Sequence, residues 1–207
     1  PVDELPKKWF NIIPFLPEPL PPPKEPETGP SRMEFLGKTM VHECLNQEMS
    51  SDPWISIPDE IRELYIQAGR PRPLYRAKRL EKYLKLKKVR LYYKREDLSP
   101  TGSHKVNTAL AQAYYAAKEG KSFLVTETGA GQWGSALSYA ASIMGLKCIV
   151  FWVRAVYSWK NERRTLMKLM GAEVHASPSK ETDTGRKLLS QNPNHEGSLG
   201  IAVSEGL

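Results

Sequence analysis

Apolar and polar positions change their rhythm near residue 90. Beyond it, short apolar runs alternate with amphipathic stretches, most of them closed by a glycine. Residues 89–94 are apolar and rich in β-formers, the signature of a strand. Residues 103–118 are Ala-rich with helical spacing, and Gly120 follows as a cap. A strand is predicted over 123–126, a helix over 132–144 stopped by Gly145, and a strand over 148–153. A helix over 159–170, stopped by Gly171, and a short strand over 173–176 complete the series. The order β-α-β-α-β-α-β with short links predicts an α/β fold, a parallel sheet flanked by helices. In such sheets ligands bind at the carboxyl ends of strands, in the strand-to-helix turns.

The first half carries a different pattern. Met33, Leu36, Met40 and Cys44 follow near-helical spacing, and Pro58-Asp59-Glu60 is a helix start, so helices are predicted over 31–49 and 58–68. Ten of the 17 prolines lie in residues 1–30. That stretch is expected to be an extended arm, polyproline-like in part. Trp9, Phe10, Ile12, Ile13, Phe15 and Leu16 make it too apolar for a free tail, so it is expected to lie against a folded body. Three regions follow: a Pro-rich arm over 1–30, a helical segment over 31–88, and an α/β region over 89–207. The last eleven residues, from Gly197, read as a loop entering a new element with nothing polar to close it. They raise the expectation that the chain is a fragment.

Composition narrows the classes. Apolar residues make up 40% of 207, too many for disorder. No apolar stretch is long enough to span a bilayer, and no secretory signal pattern opens the chain. The two cysteines, Cys44 and Cys148, exclude a disulfide framework and an all-cysteine zinc site. A reducing, cytoplasmic location is the simplest expectation. The charge is local: residues 70–95 hold 12 of the 30 basic residues and only Glu81 in opposition, leaving 18 basic and 22 acidic residues elsewhere. That window is either a nucleic-acid-binding module or a solvated surface attractive to small anions. Tyr92 and Tyr93 sit in a predicted strand, where core packing competes with a stacking role.

Two strand-to-helix turns carry candidate chemistry. In Ser99-Pro100-Thr101-Gly102-Ser103-His104-Lys105-Val106-Asn107, Lys105 lies in the first turn of a helix. The helix dipole disfavours a second cation there, which favours the neutral amine that Schiff-base chemistry needs. The plainer alternative is a solvated lysine. In Thr126-Glu127-Thr128-Gly129-Ala130-Gly131-Gln132-Trp133-Gly134, residues 129–134 match G-x-G-x-x-G between a strand and a helix. Arg154, at the end of the next strand, would suit a 2′-phosphate, so an NADP-binding reductase is one reading. Glycine turns at helix starts also bind carboxylates. Glu127 is then a helix-capping carboxylate or a general acid/base. His104 is a neighbour of Lys105 or a cap. No metal-ligand spacing, Walker A motif, G-x-S-x-G or H-E-x-x-H occurs.

The segment from Lys94 to Asn107 resembles the lysine segment of fold-type II pyridoxal-phosphate enzymes. With Glu127 to Gly134 it is similar to the tryptophan synthase beta chain family. Arg70 to Tyr75, Leu169 to Val174 and Gly197 to Ala202 also resemble that family. The Pro-rich arm, and Trp133 where the major branch has histidine, resemble its second branch. The resemblance implies synthesis of L-tryptophan from L-serine and indole by β-elimination and β-replacement, with pyridoxal 5′-phosphate as cofactor. Lys105 would hold the cofactor and move the Cα proton of serine. Glu127 would assist loss of the serine hydroxyl and the attack of indole. Thr128, Gly129, Ala130, Gly131 and Gln132 would bind the amino acid's carboxylate, and His104 and Asn107 would lie against the cofactor. It further implies a homodimer, an alpha-chain partner, no nucleic acid and no membrane. Members of the family are longer, and their cofactor-phosphate loop comes from a second half that has no counterpart in these residues. The chain alone is therefore expected to turn over poorly.

Overall fold

The computed structural model of the chain describes residues 5–207. β1 (Lys8–Phe10) pairs antiparallel with β2 (Trp54–Ser56), with Trp9 opposite Ile55. Asn11 fixes the crossing, its Nδ2 donating to the carbonyls of Ser50 and Asp52 at 2.8 and 3.1 Å. Leu5 is buried and Trp9 packs against the core, while Phe10, Ile12, Ile13 and Phe15 stay exposed. Residues 16–30 contain no helix or strand. Proline-rich backbone lacks the N–H donors that either would need. The first four residues of the arm lie outside the described range.

The single helix expected over 31–49 is two. α1 (Arg32–Thr39) is capped by Ser31, whose Oγ accepts from the Glu34 amide at 3.2 Å. The chain is extended at Met40 and Val41 before α2 (His42–Glu48). The break has a local cause: Thr39 Oγ1 donates to the Phe35 carbonyl at 3.0 Å, and the His42 ring bonds the Gly37 carbonyl at 3.0 Å. Such local bonds compete with the helical ladder. α3 (Asp59–Gln67) follows Pro58 and buries Ile61, Leu64 and Tyr65.

Residues 89–94 do not open the parallel sheet. Instead β3 (Leu74–Arg76) and β4 (Tyr92–Lys94) form an antiparallel ribbon, spanned by α4 (Lys78–Tyr83). All three residues of β4 are exposed, whereas a parallel strand between helices is buried on both faces. Glu81 staples the ribbon. Its carboxylate takes the Arg76 guanidinium at 2.9 to 3.2 Å and the Leu91 amide at 2.7 Å.

The remaining elements follow the glycine punctuation: α5 (Lys105–Lys118), β5 (Phe123–Thr128), α6 (Gln132–Met144), β6 (Lys147–Val153), α7 (Arg154–Tyr157), α8 (Asn161–Leu169) and β7 (Glu173–Ser177). β5, β6 and β7 form a three-stranded parallel sheet in that order, with Glu127 level with Phe151 and Val153 level with Ser177. α9 (Asp183–Gln191) and α10 (Leu199–Gly206) close the chain, and α10 packs against β5 and β6. The core joins α5 and α6 to the sheet. Ala109, Ala113, Ala136 and Ala140 are fully buried, so small side chains let the two helices approach. Val150, Trp152 and Met167 fill the space beneath. Among the described residues no helix is long and apolar enough to cross a membrane, and no cluster of His, Cys, Asp and Glu has the form of a metal site.

Candidate active site

The site is built where β5 hands over to α6. β5 carries Thr126, Glu127 and Thr128 to its carboxyl end, and the chain then turns through Gly129, Ala130 and Gly131. Gly131 has φ of +91°, in the left-handed region that glycine adopts without strain. A Cβ there would lie 2.6 Å from Trp152 Cζ2 and 3.1 Å from Arg163 Cδ. Trp152 also pins the turn, its Nε1 donating to the Gly129 carbonyl at 2.8 Å. Gly134 is needed for another reason. A Cβ at that position would meet Val150 Cγ1 at 2.9 Å, Thr128 Cγ2 at 3.0 Å and Met167 Sδ at 3.1 Å. The Gly134 amide donates to Thr128 Oγ1 at 3.2 Å. The glycine pattern thus serves a tight turn and a close helix-to-strand approach.

The lysine turn is rigid in its own way. Ser99 Oγ accepts from the Ser103 amide at 2.7 Å and donates to the Ser103 carbonyl at 2.8 Å. Ser103 Oγ in turn accepts from the Lys105 amide at 3.3 Å. Lys105 therefore starts α5 from a braced loop, half-buried.

The two turns face one cavity of about 350 Å³. Lys105 and Glu127 both line it, together with Thr128, Gly129, Ala130 and Gln132 from the glycine turn. Trp133 and Leu199 supply its apolar wall, Leu199 coming from the first turn of α10. Amides in the first turn of a helix have no intrahelical partner and favour an anion. The cavity therefore brings an amine, a carboxylate and the glycine turn at the start of α6 into one concave space.

Other expected residues lie apart from it. Gly131 belongs to the turn but does not line the cavity. His104 is exposed at the N-cap of α5. Asn107 is half-buried one turn on, where its Oδ1 accepts from Arg72 Nη1 at 3.4 Å. Arg154 turns away from the glycine fingerprint. Its Nη2 donates to the carbonyls of Ala176 and Pro178 at the end of β7, so Arg154 is not the guanidinium that a 2′-phosphate in that turn would need.

One lining residue, Leu199, was not readable in the sequence. Leu199 reaches the cavity only because α10 folds back on β5, and the Ser198 cap at its start is the one local sign of that helix. Arg72 is buried at the rim of the lysine segment. Its Nη2 donates to the Ala68 carbonyl at 2.6 Å and its Nη1 lies 3.5 Å from Glu96 Oε2. Desolvation lowers the guanidinium pKa, with Glu96 opposing.

Residues 65–199 match the family model described as pyridoxal-phosphate dependent enzyme. The chain belongs to this family. It is also similar to the tryptophan synthase beta chain 2 of Methanothermobacter thermautotrophicus, at 55% identity over 99% of this chain and 47% of that one. The tryptophan synthase beta chain 2 of Pyrococcus furiosus is 54% identical over 100% of this chain and 46% of its own length. The tryptophan synthase beta chain of Thermococcus gammatolerans is 54% identical over 100% and 47%. The chain thus spans about half the length of the curated relatives it matches.

The residues present fit the family's cofactor. Lys105 lines the cavity, and in the facing turn Gly129 also lines it, where a Cβ would stand 3.7 Å from Leu199 Cδ1 on the opposite wall. Thr101 Oγ1, in the same loop as Lys105, is buried without a protein partner.

Proposed function

We propose that the chain carries the lysine and carboxylate portion of an active site that makes L-tryptophan from L-serine and indole. The observation that carries this reading is that Lys105 and Glu127 line one cavity closed by the glycine turn at the start of α6. The names of the relatives at 54 to 55% identity support tryptophan as the product. Pyridoxal phosphate, when bound, supplies an electron sink that makes the Cα proton of an amino acid labile. Lys105 would hold the cofactor through its amine and, once the substrate's own amine has displaced it, would take the proton at Cα as a free amine. The amides and hydroxyl of the Thr128–Gln132 turn bind and orient the substrate carboxylate, leaving the serine side chain toward Glu127. The Glu127 carboxyl donates a proton as the serine hydroxyl departs and accepts one as indole adds. Trp133 and Leu199 exclude water and present an apolar wall to a flat nucleophile.

His104, the N-cap of α5, and Asn107, in its first turn, are assigned to the cofactor's flank. A homodimer and an alpha-chain partner go with the same reading, and the beta-chain designation of the relatives supports the alpha-chain partner. Two unpaired thiols, Cys44 and Cys148, fit a cytoplasmic setting. The test is Glu127→Gln in the cofactor-loaded protein extended to its relatives' length. Tryptophan formation from serine and indole is expected to fall by about 10²-fold or more. Wild-type turnover in that variant would remove Glu127 from the chemistry.

A further inference from the structure

Thr126 is buried, and its hydroxyl is pinned from one side. Trp133 Nε1 donates to Thr126 Oγ1 at 2.7 Å. An indole N–H only donates. The Thr126 oxygen is therefore the acceptor in that bond, and its own proton points elsewhere. The acceptors within reach both belong to Glu127, the carbonyl oxygen at 3.3 Å and Oε2 at 3.4 Å. Glu127 and Trp133 line the same cavity. The indole end of this relay is short and the carboxylate end long. Hydrogen bonds around a catalytic group are often long before substrate binds and tighten in the complex.

We propose that Trp133 and Thr126 are positioning residues for Glu127, the indole N–H fixing the Thr126 hydroxyl so that its proton is aimed at the Glu127 carboxylate. The inference rests on the reading of Glu127 as the acid–base group of the site. Trp133 is then more than an apolar wall. It links two elements, α6 and β5, and acts on the Glu127 carboxylate through the Thr126 hydroxyl. The carboxylate keeps one oxygen engaged by Thr126 and leaves the other free toward the substrate.

Three variants separate the parts. Thr126→Val keeps the shape and removes the hydroxyl, Thr126→Ser keeps the hydroxyl, and Trp133→Phe keeps a ring and removes the N–H. The first readout needs no cofactor: hydrogen exchange at the Trp133 indole N–H, followed by NMR on the chain itself. Exchange is expected to quicken about tenfold in Thr126→Val and to stay near wild type in Thr126→Ser. Unchanged exchange in Thr126→Val overturns the proposal. The second readout is turnover of the cofactor-loaded protein at its relatives' length. Thr126→Val and Trp133→Phe are each expected to lower kcat by about tenfold or more with little change in KM for serine, and Thr126→Ser to restore it. In a Glu127→Gln background both substitutions are expected to cost nothing further. Equal losses with and without Glu127 would assign the pair to packing and overturn the proposal. Loss of turnover in Glu127→Gln with no effect of either partner would also overturn it, while leaving the reading of the site intact. Full turnover in Glu127→Gln would remove that reading and the inference together.

Discussion

Gly131 shows how much one backbone angle carries. Its left-handed conformation and its contact with the Trp152 ring set the path of the turn that faces Lys105. A side chain at this position meets two costs, the strain of a positive φ and a collision with a fully buried indole. Gly131→Ala is expected to lower unfolding stability by about 2 to 3 kcal/mol, measured by urea denaturation. A variant with wild-type stability would contradict this account of the turn. At the residue scale, the parts legible in sequence are those whose reason is local. Lys105 at a helix start, Glu127 at a strand end and the glycines between them announce themselves by spacing. Arg72, Thr126 and Leu199 do not, because each acts through a partner from another element: Ala68 and Asn107 for Arg72, Trp133 for Thr126, the β5–α6 turn for Leu199.

Elements were legible where apolar periodicity and a glycine stop agreed. α6 runs from Gln132 to Met144, the bounds its pattern predicts, and ends on Gly145 at φ +69°. The 89–94 segment misled because β-propensity says nothing about which partner a strand takes. Its neighbour proved to be the ribbon strand at 74–76, held by Glu81. α9 escaped notice because its sequence is polar and it owes its place to a carboxylate from α10. Glu205 is buried, and its Oε1 accepts from the Ser179 amide and hydroxyl, both at 2.8 Å, and from Thr182 Oγ1 at 2.7 Å. One side chain thus ties the end of β7 and the cap of α9 to α10. Burial raises the Glu205 pKa, but the hydroxyls of Ser177 and Thr182 and the amide and hydroxyl of Ser179 lower it further, to a net value below the ordinary one. A carboxyl with a depressed folded-state pKa adds stability above its unfolded value, and that stability is lost as pH falls through the folded value. Glu205→Gln is therefore expected to destabilise the chain by about 2 kcal/mol at pH 7, with the gap closing below about pH 4. A gap that persists unchanged to pH 3 would show that Glu205 acts by shape alone.

Across the whole molecule, most of the basic window lies away from the cavity, Arg72 beside Asn107 being the exception. The basic window lies on α4, the ribbon and the loop between them, where Tyr83, Val89, Tyr92 and Tyr93 are also exposed. The cavity lies at the carboxyl end of the parallel sheet, as the topology of such sheets dictates. The general plan, helices on a parallel sheet with a lysine turn facing a glycine turn, was legible because each half of the site is a contiguous motif. Its enclosure was not, since Leu199 comes from an element that meets the sheet only in the fold.

The central claim is that Lys105 is the residue that takes the cofactor. The direct measurement is to incubate the chain with pyridoxal phosphate, reduce with borohydride and map the labelled peptide. The account predicts a pyridoxyl label on Lys105, lost in Lys105→Ala. A label spread over the exposed lysines of residues 78–88, or undiminished in Lys105→Ala, would contradict it.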